Sequence, residues 1–524
     1  MSFVGLGNMD NGILRPDSST GMCMDEMTAS LGIDIGTTAI KLILVSAKGD
    51  VLGTWTMGHD LHSPRPGFAE EDTETWKTNL YRLLCQVVAE VDPSCIKAVG
   101  VTGMVPTLIA LDEQCLPLMP SIQQNDIRAV AEIAELEKKL DSNWFFEHTG
   151  NKVNQQHIFP KLLWLRRNKP ELYRRIRHVM GSYDYISFLL TGTLHVERNW
   201  ALESGMWDII EGGWLPQVLE AADIDPDLLP PVCGPTDVVG TTTAALRDAT
   251  GFPAGVPVVA GTADHVASSF CTGARQPGDL VLKLGGAGDI LLALDRLVTD
   301  PRMFIDYGCS AHVPFLLNGC TASSGSMLKW FQTQFSLPDF VSMDDAAQQI
   351  PPGSEGVVIL PYLLGEKTPL FDVDAKGVVY GLTLSHTRDH VYRAMLEAVA
   401  FSFRHHLQVF EALGLPINRV FITNGGSKST LWRSIMADVV GHDLRYIKNN
   451  PGSCLGAALL GGLGTGILTE AVADRFLEQY IDIPHSEENH RLYEDCFTTY
   501  RAIYEALKPV MHGHPLGGMG SVVR

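Results

Sequence analysis

The chain has 524 residues, 45% of them hydrophobic, and a formal charge of -20, which excludes a single small module and sets two or three domains as the expectation. The acidic balance is spread without long blocks, which excludes a nucleic-acid or anionic-membrane surface and favours small-molecule chemistry. Ten cysteines form no CxxC pair and no metal-ligand spacing, so a reducing cytoplasm is the expected compartment.

Residues 1–29 hold no sustained apolar run and are expected to be a flexible extension, not a signal peptide. No window reaches the roughly 18 consecutive apolar residues that a membrane helix needs, so a soluble protein is expected. From Leu31, LGIDIGTTAIKLILVSAKGDVLGTW alternates short apolar runs with a Gly-Thr turn and a Lys-Gly-Asp turn, which predicts a three-strand antiparallel meander. In TWKTNLYRLLCQVVAEV, Leu80, Leu83, Leu84, Val87 and Val88 recur at helical spacing, which predicts an amphipathic helix packed on the core.

The Gly/Pro-rich segment 251–258 precedes an apolar strand ending in Gly261-Thr262-Ala263-Asp264, with a helix expected next and a domain junction near Gly273 to Gly278. The rhythm of apolar run, glycine turn and apolar run returns in LVLKLGGAGDILLAL, residues 280–294, which suggests two related halves. Further on, the strand RVFIT runs into ITNGGSKS and a helix beginning near Leu431, and the chain ends in HGHPLGGMGSVVR, an expected unstructured tail.

Four features could carry chemistry. Asp34-Ile35-Gly36-Thr37-Thr38 places a carboxylate, a tight glycine turn and two hydroxyls where one strand turns into the next. That is a fit for a polyphosphate and Mg²⁺, and equally for an ordinary hairpin with a polar strand end. Gly285-Gly286 would let the backbone approach a phosphate. Gly425-Gly426 would admit a ribose or a flat ring, or form a glycine-capped turn with Ser429 or Thr430 as N-cap. Asp264, at a strand end before a helix, reads on position alone as an N-cap. No Walker sequence GxxxxGK[ST] occurs.

Taken together and in this order, the motifs resemble the FGGY carbohydrate kinases, in their xylulokinase-like branch, over roughly residues 30–465. GVVYGLTLSHTRDHVYRAMLE, residues 377–397, is similar to the second family signature at every constrained position, and PKLLWLRRNKPELY, residues 160–173, to the first, with Ile158 a minor departure. PGFAEED, SYDYISFLLTG, SSGSMLKWF and LPYLLGEKTP also match. The resemblance implies an α/β fold of two actin-like (RNase H-like, ASKHA) domains around a central catalytic cleft. The expected divisions are a sugar-binding domain over 30–274, a nucleotide-binding domain over 275–470, a helical segment over 471–510 and a flexible tail over 511–524.

It also implies roles. Asp264 matches the general base and Asp34 the magnesium carboxylate; Gly36, Thr37, Thr38 and Lys41 match the first phosphate motif, Gly285 and Gly286 the second, Gly325 another nucleotide-facing glycine, and Gly425, Gly426 and Thr430 the adenosine loop. Val105, Pro106, Asp126, Arg128, Asp264 and His265 fall at sugar-contacting positions. The implied activity is phosphorylation of a small carbohydrate hydroxyl, ketopentose first, with ATP and Mg²⁺. A different polyol or ketose, or a nucleotide-dependent sugar sensor on the same fold, is the alternative. Val105-Pro106 stands where the branch has a sugar-contacting His, Gln124 where it has Trp, His265 where Asn often follows the base, and Ala287 in a turn that usually carries hydroxyls. These departures concern the sugar more than the nucleotide. A homodimer, the commonest closed assembly, is the default expectation.

Overall fold

The computed structural model describes residues 28–448 and 450–513. The expected extension therefore lies almost wholly outside the described residues, as does most of the expected tail, whose first residues continue the last helix.

The first half is built on a seven-stranded sheet: β1 (Ala29–Ile35), β2 (Ala39–Ser46), β3 (Val51–Gly58), β4 (Ile96–Gly103), β5 (Val238–Thr241), β6 (Pro257–Val259) and β7 (Thr262–Ala263). Its order is β5–β6–β4–β1–β2–β3, with β7 also paired to β4. The first three strands form the expected antiparallel meander, closing at the pair Ile35 and Ile40 around the Gly36 turn. β4 runs parallel to β1, and β6 parallel to β4, while β5 is an antiparallel edge.

The second half has the strands β8 (Asp279–Leu284), β9 (Gly288–Leu294), β10 (Phe304–Ser310), β11 (Val313–Thr321), β12 (Arg419–Thr423), β13 (Leu444–Ile447) and β14 (Tyr480–Ile483), in the order β10–β11–β9–β8–β12–β13–β14. β8 and β9 are an antiparallel hairpin, β12 and β13 follow in parallel, and β14 is an antiparallel edge. Both sheets thus place a hairpin beside two parallel strands and an antiparallel edge, so the suspected repeat is one of topology. β14 corrects the expectation of a purely helical segment over 471–510. Its YIDI run pairs with β13 from Leu444 and Ile483 to Ile447 and Tyr480, and this supplies partners for an edge that would otherwise expose its backbone groups.

Helix α1 (Thr73–Glu90) is capped by Asp72, which accepts from the Glu74 and Thr75 amides, and it buries Leu80, Leu83, Leu84 and Val87 while Val88 is half-buried. The helices that matter for the cleft are α2 (Arg198–Glu203), α3 (Asp264–Thr272), α4 (Gly325–Gln334), α5 (Arg388–Ala412), α6 (Thr430–Val440) and α7 (Ser453–Gly464), with α8 (Glu487–Gly513) closing the chain. Helix α7, SCLGAALLGGLG, lies directly on the first sheet and against α3. The approach is so close that a Cβ on Gly100 would sit 1.9 Å from the Ala457 carbonyl oxygen, and one on Gly456 would sit 2.2 Å from that of Ala267. Ser30 Oγ donates to the Ala458 carbonyl at 2.7 Å across the same contact. The first half's core continues through Val281, Leu291 and Phe421 of the second sheet, so the two halves share apolar packing behind the cleft. Among the described residues, no helix is long and apolar enough to cross a membrane.

Candidate active site

Asp264 is positioned by the end of the first sheet. β7 pairs in parallel with β4, and its Thr262 is held from two sides. Thr102 Oγ1 donates to the Thr262 carbonyl at 2.6 Å, and Asn199 Nδ2 donates to the Thr262 hydroxyl at 2.9 Å. The chain then enters α3 with Ala263 at the N-cap, and this residue makes no side-chain cap bond. Asp264 is therefore the first helical residue and not the cap that its position alone suggests. Its carboxylate, 40% exposed, projects into a cleft of about 220 Å³. Burial pushes its pKa up, but the His265 imidazole and the Lys283 ammonium outweigh burial and hold it below the usual carboxylate value.

Lys283, which lines the same cleft, is buried near the end of β8 with its ammonium 3.3 Å from Asp289. Burial lowers its pKa, and the Asp289 and Asp264 carboxylates overcome that, so it stays a cation. The turn Gly285-Gly286 follows. The Gly325 amide donates to the Gly285 carbonyl at 2.9 Å, and the Ser326 amide and hydroxyl donate to the Gly286 carbonyl at 3.0 and 2.8 Å. A Cβ on Gly286 would meet nothing within 4 Å, so the space beside this turn is free for a phosphate. In the first phosphate turn the Gly36 amide donates to the Ala39 carbonyl at 3.0 Å, and Thr37, Thr38 and Lys41 are exposed.

Asp34 is 6% exposed; its Oδ2 accepts from Ser453 Oγ at 2.8 Å, while its buried Oδ1 has no hydrogen-bond partner. Burial, then the charge of Asp264, push its pKa up to about 6 against the pull of Ser453, Lys41 and Lys283. An orphaned, electrostatically strained carboxylate oxygen beside a phosphate turn fits a hard divalent cation.

A second cavity of about 410 Å³ brings Gly325, Gly425, Gly426 and Thr430 together with Tyr392 and Phe340. A Cβ on Gly425 would again meet open space, whereas one on Gly426 would sit 2.5 Å from the Trp432 ring. Of the two N-cap candidates for α6, Ser429 is the cap, accepting from the Trp432 amide at 3.0 Å. Glycines at an apolar wall with one hydroxyl at a helix start suit a nucleoside.

The cleft that Asp264 enters has a further wall of Val105, Gln124, Asn151, Asn154, Gln156 and His157. Burial takes the His157 pKa down to about 3, so its ring is neutral at physiological pH. Pro106 adjoins this wall, and the structure does not place it in the lining. Nor does it bring Asp126 and Arg128 there. Asp126 Oδ1 accepts from the Arg128 amide and Nε at 2.9 and 2.8 Å, and Oδ2 accepts from Arg128 Nη2 and the Ala69 amide, both at 2.7 Å. These contacts fill the acceptor capacity of a carboxylate, leaving none for a sugar hydroxyl. Arg128 continues to Glu70 at 2.7 Å and lies 4.1 Å over the Phe68 ring. The pair braces the wall from behind. His265 does line the cleft, but its ring nitrogens face carboxylates, Nε2 at 3.2 Å from Asp306 and Nδ1 at 3.6 Å from Asp264.

Glu203, Asp306, Asn318, Lys283 and Lys367 line the same cleft and were not anticipated. For Lys283 the signal is a cation inside the apolar run LVLKL, and for Asp306 a carboxylate inside the strand FIDYG. A charge that a strand carries inward requires a partner. Glu203 carries no such local mark.

Comparison with known proteins gives matches along most of the chain. The FGGY family of carbohydrate kinases matches by its N-terminal domain over residues 29–271 and by its C-terminal domain over residues 304–465. A xylulose kinase of Escherichia coli (strain K12) is 30% identical over 487 residues, covering 92% of this chain and 99% of that one. A gluconokinase of Bacillus subtilis (strain 168) is 26% identical, covering 90% of this chain and 93% of its own length. The crystal structure of a xylulose kinase from Rhodospirillum rubrum superposes with a TM-score of 0.86 at 39% identity, covering 92% of this chain and all of that one.

Proposed function

We propose, from the premise that this chain belongs to the FGGY family of carbohydrate kinases, that it transfers the γ-phosphate of ATP to a hydroxyl of a small ketose, with xylulose the first candidate. The observation that carries this reading is the place of Asp264. It lines one cavity together with the amide side chains of Gln124, Asn151, Asn154 and Gln156 and with Lys283 and Ala287. The cavity, about 220 Å³, is below the roughly 300–1,000 Å³ of sites for drug-sized ligands, which favours an acceptor of a few carbons. The names of the Escherichia coli and Rhodospirillum rubrum relatives favour xylulose among such acceptors.

In-line phosphoryl transfer demands positioning and charge neutralisation more than covalent help from the protein. Asp264, ionised at neutral pH, would accept a hydrogen bond from the acceptor hydroxyl, aim its oxygen at phosphorus and take the proton late, as the new P–O bond forms. Lys283 and the amides of the Gly285-Gly286 turn would face the phosphates, and Gly325, Gly425, Gly426 and Thr430 would seat the nucleoside. Asp34 would hold Mg²⁺, which when bound supplies neutralising charge to the phosphate oxygens. Reduced-thiol chemistry is in keeping with a cytoplasmic enzyme, since all described cysteines are free.

ADP release measured with xylulose, ribulose, a tetritol, a pentitol, a heptulose and gluconate tests the reading. We expect turnover with at least one neutral acceptor, with xylulose giving the highest kcat/KM. Absence of acceptor-dependent ADP release across the panel would refute it. Val105-Pro106 stands where the branch has an imidazole, so a site made for a different hydroxyl pattern would show as another acceptor taking first place.

A further inference from the structure

The imidazole of His265 is boxed by carboxylates from both halves of the molecule. Its Nε2 lies 3.2 Å from Asp306 Oδ2 on β10 and 3.9 Å from Glu203 Oε1 at the end of α2, and its Nδ1 lies 3.6 Å from Asp264 Oδ1. Asp306 is fixed in turn, its Oδ2 also accepting from Asn318 Nδ2 at 3.0 Å. α2 and β10 are clasped beside the ring, because Asn199 Oδ1 accepts from the Tyr307 amide at 2.7 Å and Asn199 Nδ2 donates to the Tyr307 carbonyl at 3.0 Å. The ionisable groups facing the ring are thus Asp264 on α3, Glu203 on α2 and Asp306 on β10. Lys283 and Lys367 line the same cleft beyond them. Burial and the Asp306 charge push the Glu203 pKa well above the usual carboxylate value, so Asp306 and Asp264 are the charges that the ring balances.

We infer that His265 is the positioning residue for Asp264: its imidazolium, anchored by Asp306, pairs with the base's carboxylate and keeps it ionised and aimed at the acceptor hydroxyl. Burial alone would make the ring neutral, but the Asp306 and Asp264 carboxylates outweigh it and hold the ring protonated well above the usual imidazole range. Because Asp264 and His265 belong to the first half and Asp306 to the second, the 3.2 Å contact between His265 and Asp306 ties the orientation of the base to the seating of one half on the other. The inference rests on the reading of Asp264 as the base.

The test is kcat against pH, from about pH 3.5 to 8 so that the acid limb of a low carboxylate is reached, for the full chain in excess Mg²⁺ so that titration of Asp34 is suppressed. His265→Asn is expected to lower kcat about tenfold or more, with KM for ATP little changed, and to move the acid limb of kcat to higher pH as Asp264 loses its cation. Asp306→Asn, which keeps the ring but frees it, is expected to move the limb the same way by less, and it serves if His265→Asn does not fold. A loss of kcat without movement of the limb in either variant, or wild-type kcat in both, would overturn the inference. Asp264→Asn in the same assay separates the two readings. If it is active, the base assignment fails; if it is inactive while the His265 and Asp306 variants keep the wild-type profile, only the role of His265 fails.

Discussion

Asp34 and Asp264 are both aspartates at the ends of strands of one sheet, yet their environments push them apart. Asp264 has cations on two sides and is held below the usual value, while Asp34 is buried with one oxygen unpartnered and is pushed up to about 6. For Asp34 the consequence for stability follows directly. Between 3.8 and about 6 the unfolded chain releases this proton before the folded chain does. The folded state then binds more protons, and stability falls as pH rises through that window. Removing the charge should therefore stabilise the cation-free protein. Asp34→Asn is expected to raise unfolding free energy by about 1–3 kcal/mol at pH 7.5 without Mg²⁺ and by almost nothing near pH 3.5, as measured by urea titration at the two pH values. Equal or lower stability at pH 7.5 would contradict the strained carboxylate. At this scale Asp34, Asp264 and the phosphate-turn glycines were legible because strand ends and Gly-rich turns are local signals. The partners of Asp126 and His265 were not legible, because Ala69 for one and Asp306 for the other are brought to them only by the fold.

Helix α7 shows what the reading of elements gained and lost. Strand, turn and helix were legible in the meander, in α1 and around ITNGGSKS, where periodicity and turn chemistry agree. The role of α7 was not, because nothing in SCLGAALLGGLG says that its backbone meets the glycines of β1 and β4. A Cβ on Gly32 would sit 2.2 Å from the Cys454 carbonyl oxygen, and one on Gly461 would sit 2.6 Å from the Gly100 amide. Backbone against backbone, this contact has no flexible side chain to yield. Gly100→Ala should destabilise by about 1–3 kcal/mol through overpacking, whereas Gly286→Ala, whose Cβ meets nothing within 4 Å, should leave stability unchanged and weaken ATP about tenfold by crowding its phosphates. Denaturant unfolding of both variants, with nucleotide titration of the second, checks the contrast. Equal stability losses would contradict it. The strand β14 was missed for a related reason, since its short YIDI run gains strand character from the open edge of β13 and not from its own pattern.

At the scale of the molecule, two sheets of the same topology are packed through α3 and α7, and the cleft opens where the hairpin turn of each sheet and the start of α3 converge. The repeat was detectable as a rhythm of apolar run, glycine turn and apolar run, although the sequences of the two segments scarcely agree, because hairpins need turn residues and apolar alternation more than particular side chains. This arrangement divides the labour. In the proposed reading the nucleotide is held mainly by the second half and the acceptor mainly by the first, with Asp264 at the junction. The division predicts that binding and chemistry separate on a single substitution. The most direct measurement is xylulose-dependent ADP release by wild type and Asp264→Asn, with nucleotide affinity determined on the same samples. The account predicts ATP affinity within about twofold of wild type and turnover reduced by roughly 10²–10⁴; near-wild-type turnover by Asp264→Asn would contradict it.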